Sequence, residues 1–261
     1  MSADDGCVRL ERRGATAYMT FDRPQARNAM TPAMYDQLRA HIGVLGEDQE
    51  VRVVVLRGAG GSFVAGTDIA HFTGFTSPED GIGYERAMED VVQALERLPL
   101  PTLAVVEGAA MGGGLILAAA CDVRVCTPDA SFGMPIARTV GHSLSVANYA
   151  RLVAHLGPAR TKALVFLAEP LRAEGARAAG FVHEVVGAEG LGDRVDELCR
   201  RMASHAPLTL RVTKEAVARV LARARPDEDD ADLLRMVYGS RDFHTGVRAF
   251  LDKDAPEWEG R

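Results

Sequence analysis

The chain has 261 residues, of which 47% are apolar, 25% charged and only 6% aromatic. That length and balance suit one large globular domain and exclude a disordered, collagen-like or coiled-coil protein. Thirty Lys and Arg against 36 Asp and Glu leave a net charge of −6, without the basic surplus of a nucleic-acid binder.

In chain order, residues 15–21 read as a strand followed by turn signals at Asp22, Pro24 and Asn28. Thr31 and Pro32 supply an N-cap and a first-turn proline for a helix to about Leu45. Residues 51–56 are β-branched with little alternation, as in a strand buried on both faces. A glycine-rich loop over 58–66 follows, then a predicted helix over 79–98 that Pro99 halts. Residues 102–106 form another buried strand. It leads through Gly112-Gly113-Gly114 into an apolar helix within 109–121, and 123–125 are a further strand.

From Leu144 onward the spacing is helical, with segments near 144–156, 158–168, 173–180, 189–205, 209–224 and 229–245. Strand and helix alternating over short connections predict stacked ββα or βαβ units. No linker separates the halves, so the expectation is an α/β core over 1–200 carrying a helical appendage over 201–261. The acidic run 226–232 reads as a solvated helix N-terminus.

The N-terminal residues lack the apolar run of a signal peptide. The near-apolar stretch 109–121 is too short for a bilayer, which takes roughly 20 residues, so no membrane partner is expected. Cys7, Cys121, Cys126 and Cys199 show neither CxxC nor Cys/His ligand spacing. Inert thiols in a reducing, cytoplasmic setting are expected, with no metal.

Nucleophile-elbow, HExxH, P-loop and EF-hand patterns are absent. Two glycine-rich turns stand out, 62–68 and 109–115, each after a buried strand and before a helix. Parallel strands bring such turns to one sheet edge, where α/β sheets place ligands. Backbone N–H groups there lie outside the helical ladder, and Gly113 sits at the positive end of a helix dipole. Two such donors converging on one carbonyl oxygen make an oxyanion hole. Glycines that merely permit tight turns and close packing explain the same residues, and the chemistry alone leaves both readings open.

Three segments, 21–30 (FDRPQARNAM), 62–69 (SFVAGTDI) and 109–114 (AAMGGG), resemble the crotonase (enoyl-CoA hydratase/isomerase) superfamily. So do 121–124 (CDVR), 131–135 (SFGMP), 173–176 (AEGA) and the tail from Asp242-Phe243 to Phe250-Leu251, in the right order over nearly the whole chain. The resemblance implies a spiral of ββα units with a C-terminal helical trimerisation domain, as a homotrimer or dimer of trimers. It further implies an acyl-CoA substrate, with CoA entering only as part of the thioester. The thioester oxygen would lie between the N–H groups of Ala65 and Gly113. CoA would run along Ala65, Gly66, Asp68, Ile69 and Gly112, helped by Arg27 and by Lys253 of a neighbouring subunit. Asp68 also reads as a helix cap.

One departure matters. The family's hydratases are expected to place glutamates at the positions held here by Ile116 and Ile136. A general acid or base contributes about 10²–10⁴-fold, so efficient hydration is not expected. A pocket walled by two isoleucines also excludes the water that hydration needs. His142 is the candidate replacement, since a neutral imidazole moves protons near neutral pH; the other reading is a loop histidine capping a helix. Arg138 suits either a substrate carboxylate or a subunit-interface ion pair. His71, Tyr84 and Glu85 either line the acyl pocket or serve surface and packing roles. The expected function is an acyl-CoA enzyme of isomerase-like or other enolate chemistry. The alternatives are a non-catalytic acyl-CoA-binding oligomer and a chain whose glycine loops are only structural.

Overall fold

The computed structural model describes residues 5–222 and 230–261. Strands β1 (Cys7–Arg13) and β2 (Thr16–Asp22) form an antiparallel hairpin. Helix α1 (Pro32–Glu47) starts as expected, with the Thr31 side chain accepting the Met34 N–H and proline in the first turn. Strand β3 (Val53–Gly58) lies parallel to β2, and a 3-10 helix (Ile69–Gly74) precedes α2 (Pro78–Arg97). Then come β4 (Thr102–Val106), β5 (Ala109–Met111), α3 (Gly113–Ala120), β6 (Val123–Cys126), β7 (Ser131–Gly133) and α4 (Ile136–Thr139). The rest is α5 (Val146–Phe166), β8 (Leu171–Arg172), α6 (Ala173–Ala178), β9 (Glu184–Val185), α7 (Ala188–Ser204), α8 (Pro207–Ala222), α9 (Ala231–Tyr238) and α10 (Arg241–Asp252).

A six-stranded sheet has the order β1-β2-β3-β4-β6-β9, parallel except at β1, and a smaller sheet has the order β5-β7-β8. The chain visits the large sheet, then the small one, then a helix: β4–β5–α3, then β6–β7–α4. This is the expected ββα spiral. Val53 to Leu56 lack alternation because both faces are covered. Val54 and Leu56 face the core cluster shared with α1 and α2, while Val53 and Val55 pack with Leu191, Val195 and Leu198 of α7.

Three expectations change. Residues 109–111 are strand β5 rather than the first turn of a helix, because the Met111 N–H donates to the Val64 carbonyl at 2.9 Å. The segment 229–245 is two helices, since the Ser240 hydroxyl caps α10 by accepting the Phe243 N–H. Strands β8 and β9, two residues each, lie within the stretch read as helical. Of the acidic run, 226–229 lie outside the described residues; Asp230 precedes α9 and accepts the Val146 N–H at 2.6 Å.

The last two helices do not project as a separate module. They fold back on α2 and the 3-10 helix, where Phe72, Ile82, Val140, Leu234, Tyr238 and Phe243 form a third apolar cluster. Cys121, Cys126 and Cys199 are buried free thiols. Burial pushes Cys121 up to about 12, leaving it unreactive. Among the described residues no helix is long and apolar enough to cross a membrane.

Candidate active site

The two glycine turns are laced together by their backbones. Val64 donates to Ala109 at 3.0 Å and accepts from Met111 at 2.9 Å. A Cβ on Gly114 would stand 2.1 Å from the Val64 carbonyl, so only glycine allows this approach. Asn28 anchors the first turn from below. Wholly buried, its Nδ2 donates to the carbonyls of Ala59 (2.8 Å) and Ser62 (2.7 Å), and its Oδ1 accepts the Arg23 N–H. At the far end of α3, Arg124 donates to the carbonyls of Ala118, Cys121 and Phe181, and His155 Nε2 meets Ala119 O at 2.9 Å. Residues 121–124 thus satisfy the carbonyl end of α3, while its glycine end faces the site.

A cavity of about 120 Å³ opens where the turns meet. Ala65, Gly66, Ile69, Gly112, Gly113, Ile116, Ile136 and His142 line it. Met88, Met111, Val140, Leu144 and Phe250 add apolar surface, Thr67, Tyr84, Glu85, Thr139 and Asn148 add polar groups, and no Lys or Arg is on the wall. As first residue of α3, Gly113 has an N–H beyond the helical ladder.

The structure places the other expected site residues as follows. The Ala65 N–H donates to the Arg27 carbonyl at 3.0 Å. Arg27 contributes that carbonyl, with an exposed side chain. The Gly112 N–H is committed to Gly133 O at 2.9 Å. Asp68 stands off the cavity wall: it caps the 3-10 helix through the Ala70 N–H (3.0 Å) and pairs with Arg23 at 2.7 Å. Arg138 is exposed and off the wall. Two residues along a helix rotate by about 200°, so the turn that aims Ile136 inward aims Arg138 out. Lys253 is exposed at the end of α10, the helix whose Phe250 lines the cavity.

His142 sits between the rings of Phe72 (5.6 Å, edge-on) and Tyr238 (6.0 Å, stacked). Its Nδ1 lies 3.1 Å from the Ser143 carbonyl and 3.5 Å from the Tyr238 hydroxyl. Burial lowers its pKa, so the ring is neutral near pH 7.

The residue whose weight the sequence hid is Glu85. It lines the cavity and is 2% exposed. One carboxylate oxygen accepts the Tyr238 O–H at 2.8 Å and the other the Ser145 N–H at 3.0 Å. Burial raises it to about 7, against the lowering effect of those two donors. The available signal was its place in the apolar stripe Ile82, Glu85, Met88, Val92 of α2. Tyr238 carried no signal. Behind the wall, hydroxyls of Tyr35, Thr67 and Tyr84 form a chain (2.9 and 2.6 Å) beside a second cavity between α1 and α2. Among the described residues no three His, Cys, Asp or Glu side chains group as metal ligands.

Comparison with known proteins agrees with this architecture. The family model described as enoyl-CoA hydratase/isomerase matches residues 11–261. The short-chain-enoyl-CoA hydratase of Clostridium acetobutylicum is 34% identical over 252 residues, covering 94% of this chain and 95% of that protein. The 1,2-epoxyphenylacetyl-CoA isomerase of Escherichia coli is 30% identical, covering 93% of this chain and 94% of its own. Among solved structures, methylmalonyl-CoA decarboxylase in complex with 2-nitronate-propionyl-CoA superposes with a TM-score of 0.89 at 27% identity, covering 97% of this chain and 98% of that one. With its ββα spiral, its paired glycine turns and a match over nearly its whole length, the chain belongs to the enoyl-CoA hydratase/isomerase family of the crotonase superfamily.

Proposed function

We propose that this family member is an acyl-CoA enzyme that generates a thioester enolate and does not efficiently hydrate enoyl-CoA. The observation that carries the reading is that Ile116 and Ile136 both line the cavity beside Gly113. No carboxylate stands where the hydratases are expected to keep theirs. The thioester oxygen lies between the Gly113 N–H and the Ala65 N–H, the latter shared with the Arg27 carbonyl as a three-centre bond. Amides fixed in this way stabilise the developing oxyanion without reorganisation, and the apolar side chains around them lower the local dielectric and strengthen them. The acyl group is apolar, as no cationic side chain lines the cavity.

The test is spectrophotometric. Crotonyl-CoA keeps its conjugated absorbance in the presence of the enzyme, while saturated and 3-enoyl thioesters exchange their α-hydrogens in D2O. Hydration at rates usual for an enoyl-CoA hydratase overturns the reading. So does the absence of exchange on every thioester tried; with no release of CO2 from malonyl-CoA either, that favours a non-catalytic acyl-CoA binder.

A second reading rests on the likeness to methylmalonyl-CoA decarboxylase. Loss of CO2 from a malonyl-type thioester makes the same enolate with no base, and an apolar wall disfavours the starting carboxylate. Release of CO2 from malonyl-CoA, without α-exchange on saturated thioesters, favours it. We further propose that the chain works as a homotrimer or a dimer of trimers.

A further inference from the structure

The cavity has lost the two carboxylates expected of a hydratase, yet a third carboxylate enters it from another helix. We propose that Glu85 is the group that carries the proton between the α- and γ-carbons of a bound β,γ-unsaturated acyl-CoA, held in place by Tyr238 and the Ser145 N–H. The inference rests on the enolate reading above and adds the residue that moves the proton.

Geometry supports the role. A carboxylate offers about four lone-pair positions, and Tyr238 and Ser145 occupy two. The others remain for a proton from the cavity. The two donors come from different elements, α9 and the start of α5, so both oxygens are fixed without a flexible partner. The other ionisable side chains on the wall are less suited. The Tyr84 hydroxyl bonds Thr67 at 2.6 Å, and burial raises it well above the usual tyrosine range. His142 directs Nδ1 to the backbone of Ser143.

The groups acting on Glu85 are Tyr35 of α1, Tyr84 and Glu89 of α2, and Asp230 and Tyr238 at α9, with His142 of the loop before α5 beside Tyr238. The charges of Asp230 and Glu89 act with burial to hold the carboxyl near 7, where it both accepts and returns a proton at neutral pH.

The step balances without a further reactant. A Glu85 oxygen takes the proton from the α-carbon, and the C–H electron pair becomes a dienolate whose charge rests on the thioester oxygen. The same carboxylic acid then delivers the proton to the γ-carbon. The double bond moves from β,γ to α,β, and Glu85 is again a carboxylate.

The experiment uses the full chain with 3-hexenoyl-CoA in D2O, following deuterium at C2 and formation of the 2-enoyl product against pH. The wild type shows both, with a rate that rises through an inflection near neutrality. Glu85→Gln keeps both hydrogen-bond partners, binds the thioester by calorimetry, and loses exchange by at least about a hundredfold. Glu85→Asp recovers part of it. Tyr238→Phe removes a donor that stabilises the carboxylate, so the inflection moves to higher pH. Exchange by Glu85→Gln at the wild-type rate, or an inflection unmoved in Tyr238→Phe, overturns the role of Glu85 and leaves the enolate reading standing. A wild type that exchanges no thioester overturns both.

Discussion

Gly113 presents the cavity with a backbone N–H and no side chain, so its contribution is testable only by removing that hydrogen. It is the first residue of α3, a position where proline is well tolerated. A Cβ there would stand 2.8 Å from the Tyr35 hydroxyl, so the variant belongs in a Tyr35→Phe background. We expect Gly113→Pro, measured against Tyr35→Phe alone, to lower kcat for α-exchange about 10²–10³-fold while the thioester still binds. Equal kcat values would remove Gly113 from the oxyanion site.

Glu85 also leaves a mark on stability. Its folded pKa of about 7 lies above the ordinary 4.5, so the folded state holds a proton that the unfolded state releases. Its contribution is therefore fully present below pH 4.5 and lost as pH rises through 7. Half-buried His155 works the other way: desolvation drops it to about 4, so its contribution falls away as pH drops below 6.5. Subtracting Glu85→Gln from wild type in urea titrations isolates the first term. We expect the variant to gain about 3 kcal/mol on the wild type between pH 4.5 and 7. A difference independent of pH would show that Glu85 ionises normally in the folded chain.

At the scale of elements, the site depends on α9 lying flat on α2. Gly81 makes that possible, because a Cβ there would stand 2.1 Å from Cγ of Tyr238. Gly81→Ala therefore displaces the ring that bonds Glu85. We expect faster limited proteolysis within residues 230–240 and an α-exchange inflection moved upward as in Tyr238→Phe. Unchanged digestion would mean that α9 is held by other contacts. A second clamp joins α2 to α5, where Arg151 is buried against Glu89 (2.9 Å) and Glu96 (2.6 Å). Its place keeps the start of α5, and hence the Ser145 N–H, against α2.

For the molecule as a whole, α8 is the α-helix, among those described, that buries no residue of its own. Its Leu208, Val212, Val217 and Val220 are 53–72% exposed. Lys214 ties it to the core through Asp122 (2.8 Å) and the Leu100 carbonyl (3.1 Å). Apolar surface of this kind is normally covered by a partner. The proposed trimer predicts a light-scattering mass three times 28.0 kDa, or twice that. Val212→Asp with Val220→Asp lowers it toward one chain. A wild-type mass of one chain would remove the oligomer.

Much of this protein was decided by local order in its sequence. The buried strands over 51–56 and 102–106, the Thr31-Pro32 helix start and the paired glycine turns are written in consecutive residues. The Phe-Gly-x-Pro segment ending in Ile136 shows directly that the expected carboxylate is missing. Strands of two or three residues, such as β5 and β8, were not legible, because so few residues show no period and their pairing comes from distant backbone. Burial and pairing were also beyond reach. Nothing near Ala65 foretells that its N–H meets the Arg27 carbonyl, and nothing near Arg138 tells on which side of a one-turn helix it falls. Above all, the setting of Glu85 joins α2, the start of α5 and α9, with Tyr238 standing 153 residues away. A carboxyl's ionisation depends on what surrounds it in space, and only the folded chain brings those groups together.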